Sequence, residues 1–353
     1  MMKILVIALS GIGDTLMATP MIESLKELYP KSQLDVLVMW GGSKELLKNN
    51  PHISNLIQFN MIKEGFQKSL SFCRKLSKRE YDISINIYPQ SKTQYRVVSW
   101  IIGAKLRMSH KYSNWQLYDN LFINRYVTED YSVNCSQNNI KLLNLLGQVN
   151  TLHSPKIYLS RTDLKKADDF EKSNKAKGEK FFGIHIGSGS TKNLPLRRWP
   201  IDNYISLIKL ILKHKRVKIL LFGGAEEESG NNMIVQSVKS NRVIQVKTQS
   251  ISESAAIIGK SDFFLSVDTA LMHIAAAMGI KNQIVIDTPT FNKTVYPNRK
   301  RFILIENDIL NKDRLVYYKY DGKGIKLEKQ DILRIMKNIT PEIVYQRIQD
   351  LLK

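Results

Sequence analysis

The sequence predicts an α/β protein of two domains, each built on a parallel sheet covered by helices on both faces. Three observations predict it. Short β-rich apolar runs alternate with stretches of helical spacing between Lys3 and Ile87, the same alternation restarts at Phe181, and a densely charged stretch over 161–180 separates the two series. With 353 residues, 43% of them hydrophobic, the chain has apolar material for two cores of ordinary size and too much of it for disorder.

The elements follow in order. Residues 3–9 form an unbroken apolar run, read as a buried strand. The run is too short for a signal peptide and leads into Gly11-Ile12-Gly13-Asp14 where a small-residue cleavage site would stand. Leu16, Met17, Met21, Leu25 and Leu28 then recur at helical spacing and predict a helix over 15–28. Strands are expected at 34–39, 56–59 and 82–87, with a helix at 66–76 between the last two. The second series places strands at 181–186, 217–222, 243–246, 262–267 and 283–286, and helices at 201–212 and 270–278. Two closing helices, 331–337 and 341–352, carry their apolar residues (Ile332, Ile335, Met336; Val344, Ile348, Leu351) on one face. The expected domains are therefore 1–160, a helix and linker at 161–180, 181–325, and the helical end 326–353.

Composition narrows the partners. Lys and Arg number 53 against 32 Asp and Glu, a net charge of +21, so the partner is expected to be anionic: nucleic acid, a membrane face or a phosphorylated substrate. Eleven Lys and Arg against three acids fall between Asn60 and Lys111. Two cysteines, Cys73 and Cys135, lack zinc-type spacing and are too few for a disulfide scaffold, which fits a reducing, cytoplasmic compartment. No run reaches the roughly 18 apolar residues of a membrane-spanning helix, so any membrane contact is expected to be peripheral.

Four motifs could carry chemistry. Ser10, Gly11, Gly13 and Asp14 lie where the first strand meets the first helix, the end of an α/β sheet at which ligands gather. A dinucleotide fingerprint would need glycine where Leu16 stands. The loop equally suits a tight turn with Asp14 as helix cap. Gly187, Ser188 and Gly189 follow the strand at 181–186 and precede Arg197-Arg198, a set suited to a diphosphate or, alternatively, to a solvated loop. Asp268, Thr269, Ala270 and His273 end a strand and start a small-residue helix whose N–H groups suit an anion, with His273 one turn in. Gly223-Gly224 with Glu226 make a turn whose carboxylates suit ribose hydroxyls or simply open a solvated acidic helix.

Taken in order, these residues resemble glycosyltransferase family 9, the heptosyltransferases of lipopolysaccharide and their relatives, over nearly the whole chain. The resemblance is carried by Lys3–Pro20, by Arg79-Glu80-Tyr81-Asp82 and the strand after it, by Arg197-Arg198-Trp199-Pro200, by Phe222–Glu226 and by Val267–His273. It implies a GT-B fold, two Rossmann-like domains with parallel sheets facing a central cleft, acceptor in the first and nucleotide sugar in the second, with the terminal helices packing back on the first. By position, Asp14 matches the family's catalytic aspartate. Arg197 stands where a phosphate-contacting Lys is usual, and Asp268, Thr269, Ala270 and His273 match the nucleotide-sugar motif. Ala270 for the usual Gly, and Gly187-Ser188-Gly189, depart from the family pattern.

The resemblance thus implies an inverting transfer of heptose or a related sugar from ADP-heptose or a similar donor to an anionic envelope glycolipid, with Asp14 as base. Arg197 and the helix start at 268–270 would stabilise the leaving diphosphate. No metal or other cofactor is obligatory on this reading, since no D-x-D motif is present. The enzyme is expected in the cytoplasm, in peripheral contact with the inner membrane and without nucleic acid. The alternatives are a nucleotide-sugar-binding protein without turnover and a nucleic-acid binder, the latter prompted by charge alone and lacking a recognisable module.

Overall fold

The computed structural model describes residues 1–148, 153–299 and 301–353. The chain divides into two compact units, one comprising Met1–Tyr158 with Lys293–Asn298 and Tyr320–Gly322, the other Leu159–Asn292, Arg299–Lys319 and Lys323–Lys353.

In the first unit, β1 (Lys3–Ala8), β2 (Gln33–Val38), β3 (Asn55–Gln58), β4 (Ile83–Asn86), β5 (Leu106–Lys111) and β6 (Arg125–Thr128) form one parallel sheet in the order β3-β2-β1-β4-β5-β6. In the second, β7 (Lys180–His185), β8 (Val217–Phe222), β9 (Val243–Gln245), β10 (Phe263–Ser266), β11 (Asn282–Ile286) and β12 (Ile303–Ile305) pair in the order β12-β11-β10-β7-β8-β9. Both are doubly wound. The direction of winding reverses between β1 and β4 and again between β7 and β10, and a crevice opens beyond the carboxyl ends of such a pair.

Burial on both faces explains the continuous apolar runs. Ile4, Val6 and Ala8 of β1 pack with Met21, Ile22 and Leu25, while Leu5 and Ile7 pack with Val98 and Ile102. The strand entry at Arg79–Asp82 is explained by the opposite, amino edge of this sheet. Arg79 Nη1 (3.0 Å) and the Tyr81 hydroxyl (2.7 Å) both donate to buried Asp35 Oδ2, and Asp82 Oδ2 accepts the Lys3 N–H at 3.0 Å. That motif locks three strands in register.

The single helix expected at 15–28 is two, Ile12–Met17 and Thr19–Leu28. Pro20 has no N–H for the Leu16 carbonyl, which accepts the Thr19 hydroxyl at 2.8 Å instead. The helix Arg161–Asn174, expected in a linker, is capped by Ser160 and packs on Ile251–Ile258, with Lys166 Nζ 2.9 Å from Glu253 Oε2, so it belongs to the second unit.

The closing helices Lys329–Asn338 and Pro341–Leu352 correct a second expectation. Their apolar faces (Ile332, Met336, Val344, Ile348) lie in the second unit's core, where Pro341–Leu352 packs along Ile201–Ile211. The Trp199 indole N–H donates to the Ile339 carbonyl at 2.8 Å and holds the turn between them. Leu352 is buried in this core and Leu351 is exposed. Cys73 and Cys135 are both buried, and neither is in a disulfide. No helix among the described residues is long and apolar enough to cross a membrane.

Candidate active site

In the second unit the loops leaving β7 and β10 diverge from neighbouring strands, which pair as Ile184 with Leu265. They bring together Gly187, Ser188, Arg197, Asp268 and Thr269. Arg197 Nη1 donates to Asp268 Oδ2 at 2.7 Å and to the Thr290 hydroxyl at 2.7 Å, and that hydroxyl reaches Asp268 Oδ2 at 3.2 Å. Both side chains of the ion pair are only 9% exposed. One Arg197 nitrogen therefore holds Asp268, while its Nε is buried without a partner. Thr290 was not singled out by the sequence.

Thr269, and not Asp268, caps the helix Ala270–Ala277, its hydroxyl accepting the Leu271 N–H at 3.0 Å. His273 is buried in that helix with Nδ1 unpartnered. Burial lowers its basicity, the Arg197 charge lowers it further, and Asp268 opposes both. Ser266 Oγ, His185 Nδ1 and Asn231 Oδ1 are buried and unpartnered as well. Burial, aided by Arg198, pushes the His185 imidazole down to about 3. Buried polar atoms are ordinarily satisfied by protein, water or ligand, and at the winding reversal those of Ser266, His185 and His273 have no protein partner.

The other residues expected here lie after β7 and β8. The Ser188 hydroxyl donates to the Leu194 carbonyl at 3.1 Å and so shapes its own loop. Gly187 is required by packing: a Cβ there would lie 2.2 Å from Glu227 Oε1 and 2.8 Å from His185 Cε1. At Gly189 the nearest atom would be Leu194 Cδ1 at 3.6 Å, an ordinary contact. Glu226 is exposed, with Arg198 Nη2 3.4 Å away, whereas Glu227 is buried and accepts the Gly224 N–H at 2.9 Å. The sequence signal for Glu227 was its place three residues into the helix after the glycine turn, where a carboxylate folds back on the cap. Asp287, buried at the end of β11, was also missed; Arg314 Nη2 lies 2.6 Å from its Oδ2, and burial raises its carboxyl above the usual range.

In the first unit the loop after β1 is held by Asp14, whose Oδ2 accepts the Gly11 N–H at 2.8 Å. Thr15 donates to the Gly11 carbonyl at 3.0 Å and shares a 3.0 Å hydrogen bond with Ser43. The capping geometry expected of Asp14 is thus present, and it fixes the carboxylate's orientation. Tyr95 stands near: its phenol is pushed up by burial, and the Asp14 charge adds to that. Ser10 Oγ is buried without a partner, and so are both amide atoms of Asn86, which pairs in register with Ile7 at the winding reversal. Gln90 ties the loop down, accepting the Leu9 N–H at 3.3 Å and donating to the Ile7 carbonyl. Asn86 falls inside the strand expected at 82–87, and nothing in the sequence separates it from any other buried strand residue.

Two doubly wound parallel sheets, each with open polar atoms at its winding reversal, define a two-unit α/β protein of the kind that takes ligands at the carboxyl ends of its strands. The model of glycosyltransferase family 9 (heptosyltransferase) matches residues 69–319, and the chain belongs to that family and is a glycosyltransferase. Among its relatives, lipopolysaccharide heptosyltransferase 1 of Campylobacter coli is 24% identical over 96% of this chain and 99% of its own length. The fold is GT-B. The Escherichia coli ADP-heptose lps heptosyltransferase II structure superposes with a TM-score of 0.74 at 19% identity, covering 99% of this chain and 98% of that one. Escherichia coli heptosyltransferase WaaC, solved with ADP-2-deoxy-2-fluoro heptose, gives 0.70 at 16% identity, covering 99% and 100%.

Proposed function

We propose that the protein is an inverting glycosyltransferase that moves heptose or a related sugar from a nucleoside diphosphate donor of the ADP-heptose kind to a lipopolysaccharide-core or other envelope glycan. The observation that carries the donor assignment is the group of unpartnered buried atoms around Arg197, Ser266 and His273 beside the start of helix Ala270–Ala277. Names of relatives support the sugar: the compared WaaC structure holds an ADP-heptose analogue, and the Campylobacter coli relative is a lipopolysaccharide heptosyltransferase.

On this reading the second unit takes the donor and the first takes the acceptor. Asp14 accepts the proton of the attacking hydroxyl as its oxygen bonds to the anomeric carbon, and the bond from that carbon to the diphosphate oxygen breaks with its electron pair staying on the diphosphate. The start of helix Ala270–Ala277, with the remaining guanidinium nitrogens of Arg197, faces the charge that develops there. Gly187, Ser188 and Gly189 line the phosphates and Glu226 meets the ribose. Ser10, Gly11 and Gly13 shape the acceptor loop. No cofactor is obligatory in this scheme, so transfer is expected to survive chelation.

Thermal-shift titration against ADP-heptose and ADP-, GDP- and UDP-hexoses tests the donor, because a ligand bound only by the native state raises stability. ADP-linked sugars should give the largest shift. A preference for a uridine or guanosine donor would overturn that assignment. The enzyme is expected on the cytoplasmic side, in contact with the membrane that carries its acceptor and not with nucleic acid.

A further inference from the structure

The segment between β5 and β6, together with Trp100 of the preceding helix Thr93–Ile102, carries a knuckle of exposed apolar side chains that the transfer reaction does not use. Leu117 is 87% exposed, Leu121 67%, and Tyr118 and Trp100 51% each. Aromatic rings join them: Phe122 lies 5.7 Å from Trp100 and 6.3 Å from Tyr118, centroid to centroid. The backbone beneath is held firmly. Arg96 donates through Nε (2.7 Å) and Nη2 (3.0 Å) to the two carboxylate oxygens of Asp119, both side chains being fully buried. Asp119 Oδ2 also accepts the Gln116 N–H at 2.8 Å, and Arg107 Nε donates to the Phe122 carbonyl at 2.8 Å. A buried two-pronged ion pair is expensive to desolvate, and this one fixes a turn that points large apolar groups outward.

The surroundings are basic. Between residues 92 and 126 stand six cations and one acid, Asp119, which Arg96 already neutralises. Lys105 reaches Asp82 at 2.9 Å, but Lys111 lies over the Tyr126 ring at 5.4 Å, and Tyr126 in turn neighbours Trp115 at 5.3 Å. Leucines at the tip, Trp and Tyr around them and Lys and Arg at the rim are the order in which a lipid surface presents acyl chains, headgroup boundary and phosphates. A second copy of the chain suits it less, since two molecules of net charge +21 repel through such a rim.

We propose that this knuckle docks the protein on an anionic phospholipid bilayer, with Leu117 and Leu121 entering the acyl boundary, Trp100, Tyr118 and Tyr126 at headgroup level, and Lys111 and Arg125 on lipid phosphates. It extends the membrane-side reading above and rests on it only for its setting. The test is flotation of the full chain with vesicles of phosphatidylcholine alone or mixed with phosphatidylglycerol. No glycan acceptor is present, so docking and transfer can fail independently.

Wild type should float with the mixed vesicles, not with phosphatidylcholine alone, and should be released as salt rises. The pair Leu117→Glu and Leu121→Glu, at exposed positions, should lower the partition coefficient at least about tenfold with melting temperature and nucleotide affinity unchanged. Met233→Glu, equally a surface change but in the second unit, should leave it alone. Wild type that ignores anionic vesicles, or a paired variant that floats like wild type, overturns the proposal. So does a paired variant that dissolves a dimer in light scattering while its vesicle binding stays the same.

Discussion

Replacing Arg197 by Met keeps the bulk of the side chain and removes its charge. Asp268 is then left buried with only the Thr290 hydroxyl for company. Breaking a buried pair by deleting one partner costs about 3–5 kcal/mol, because the surviving charge is uncompensated. For a unit of this size that corresponds to roughly 2–4 °C in melting temperature per kcal/mol. Adding Asp268→Asn removes the orphaned carboxylate, so the double variant should regain most of the stability lost. Nucleotide affinity should not return with it, since the guanidinium contact to the diphosphate, about 1.5–3 kcal/mol, stays absent. Arg197→Lys keeps the charge and should retain most of both properties. Calorimetry and nucleotide titration on wild type, Arg197→Met, Asp268→Asn and the double variant give the coupling directly. A stable Arg197→Met protein, or a double variant as unstable as the single one, would refute the argument that Arg197 holds Asp268.

Three further outcomes follow from the same geometry. Gly187→Ala forces a methyl group onto the Glu227 carboxylate and should cost about 1–3 kcal/mol, whereas Gly189→Ala should fall within about 0.5 kcal/mol of wild type in denaturant titration. Stability should fall on acidification from pH 6.5. His110 and His185 are held down to about 4 and about 3 by burial, so below 6.5 the unfolded chain binds protons that the folded one does not. Each should cost about 2 kcal/mol by pH 5, and a flat profile from pH 7 to 5 would contradict their burial. Chelation with EDTA should leave the transfer rate unchanged, and a rate that collapses and returns with a divalent ion would require a cation in the reaction.

Much of the fold was legible because parallel strands buried on both faces announce themselves as apolar runs, as in β1, β8 and β10. β5 escaped because Arg107, Ser109 and His110 interrupt its apolar pattern, although Ser109 and His110 are buried; tertiary hydrogen bonds such as His110 Nε2 to the Asn138 carbonyl at 2.9 Å accommodate them. β6 and β12 are short and carry no strong period. The direction in which the terminal helices pack was hidden for a different reason. Amphipathic spacing says which face is buried, not against what, and the Trp199 contact to Ile339 spans 140 residues.

The geometry of the candidate site was legible where backbone and strand ends set it, in the loop at Asp14, the close packing at Gly187 and the cap at Thr269. It was illegible where long-range pairs do, at Arg197 with Asp268, at Glu227 against Gly187 and at Asn86. The open atoms of Asn86 and Ser266 are visible only once their neighbours are known.

The central claim is that Asp14 takes the proton in a sugar transfer. Its carboxylate also accepts the Gly11 N–H, and asparagine retains an oxygen for that bond, so Asp14→Asn separates capping from chemistry. The deciding measurement is acceptor-dependent release of nucleoside diphosphate by wild type and by Asp14→Asn, with donor affinity and melting temperature taken on the same preparations. We predict a fall in turnover of about 10²–10⁴-fold with the other two little changed. An Asp14→Asn protein that transfers sugar at the wild-type rate, or one whose loss is matched by a loss of folding, would contradict the account.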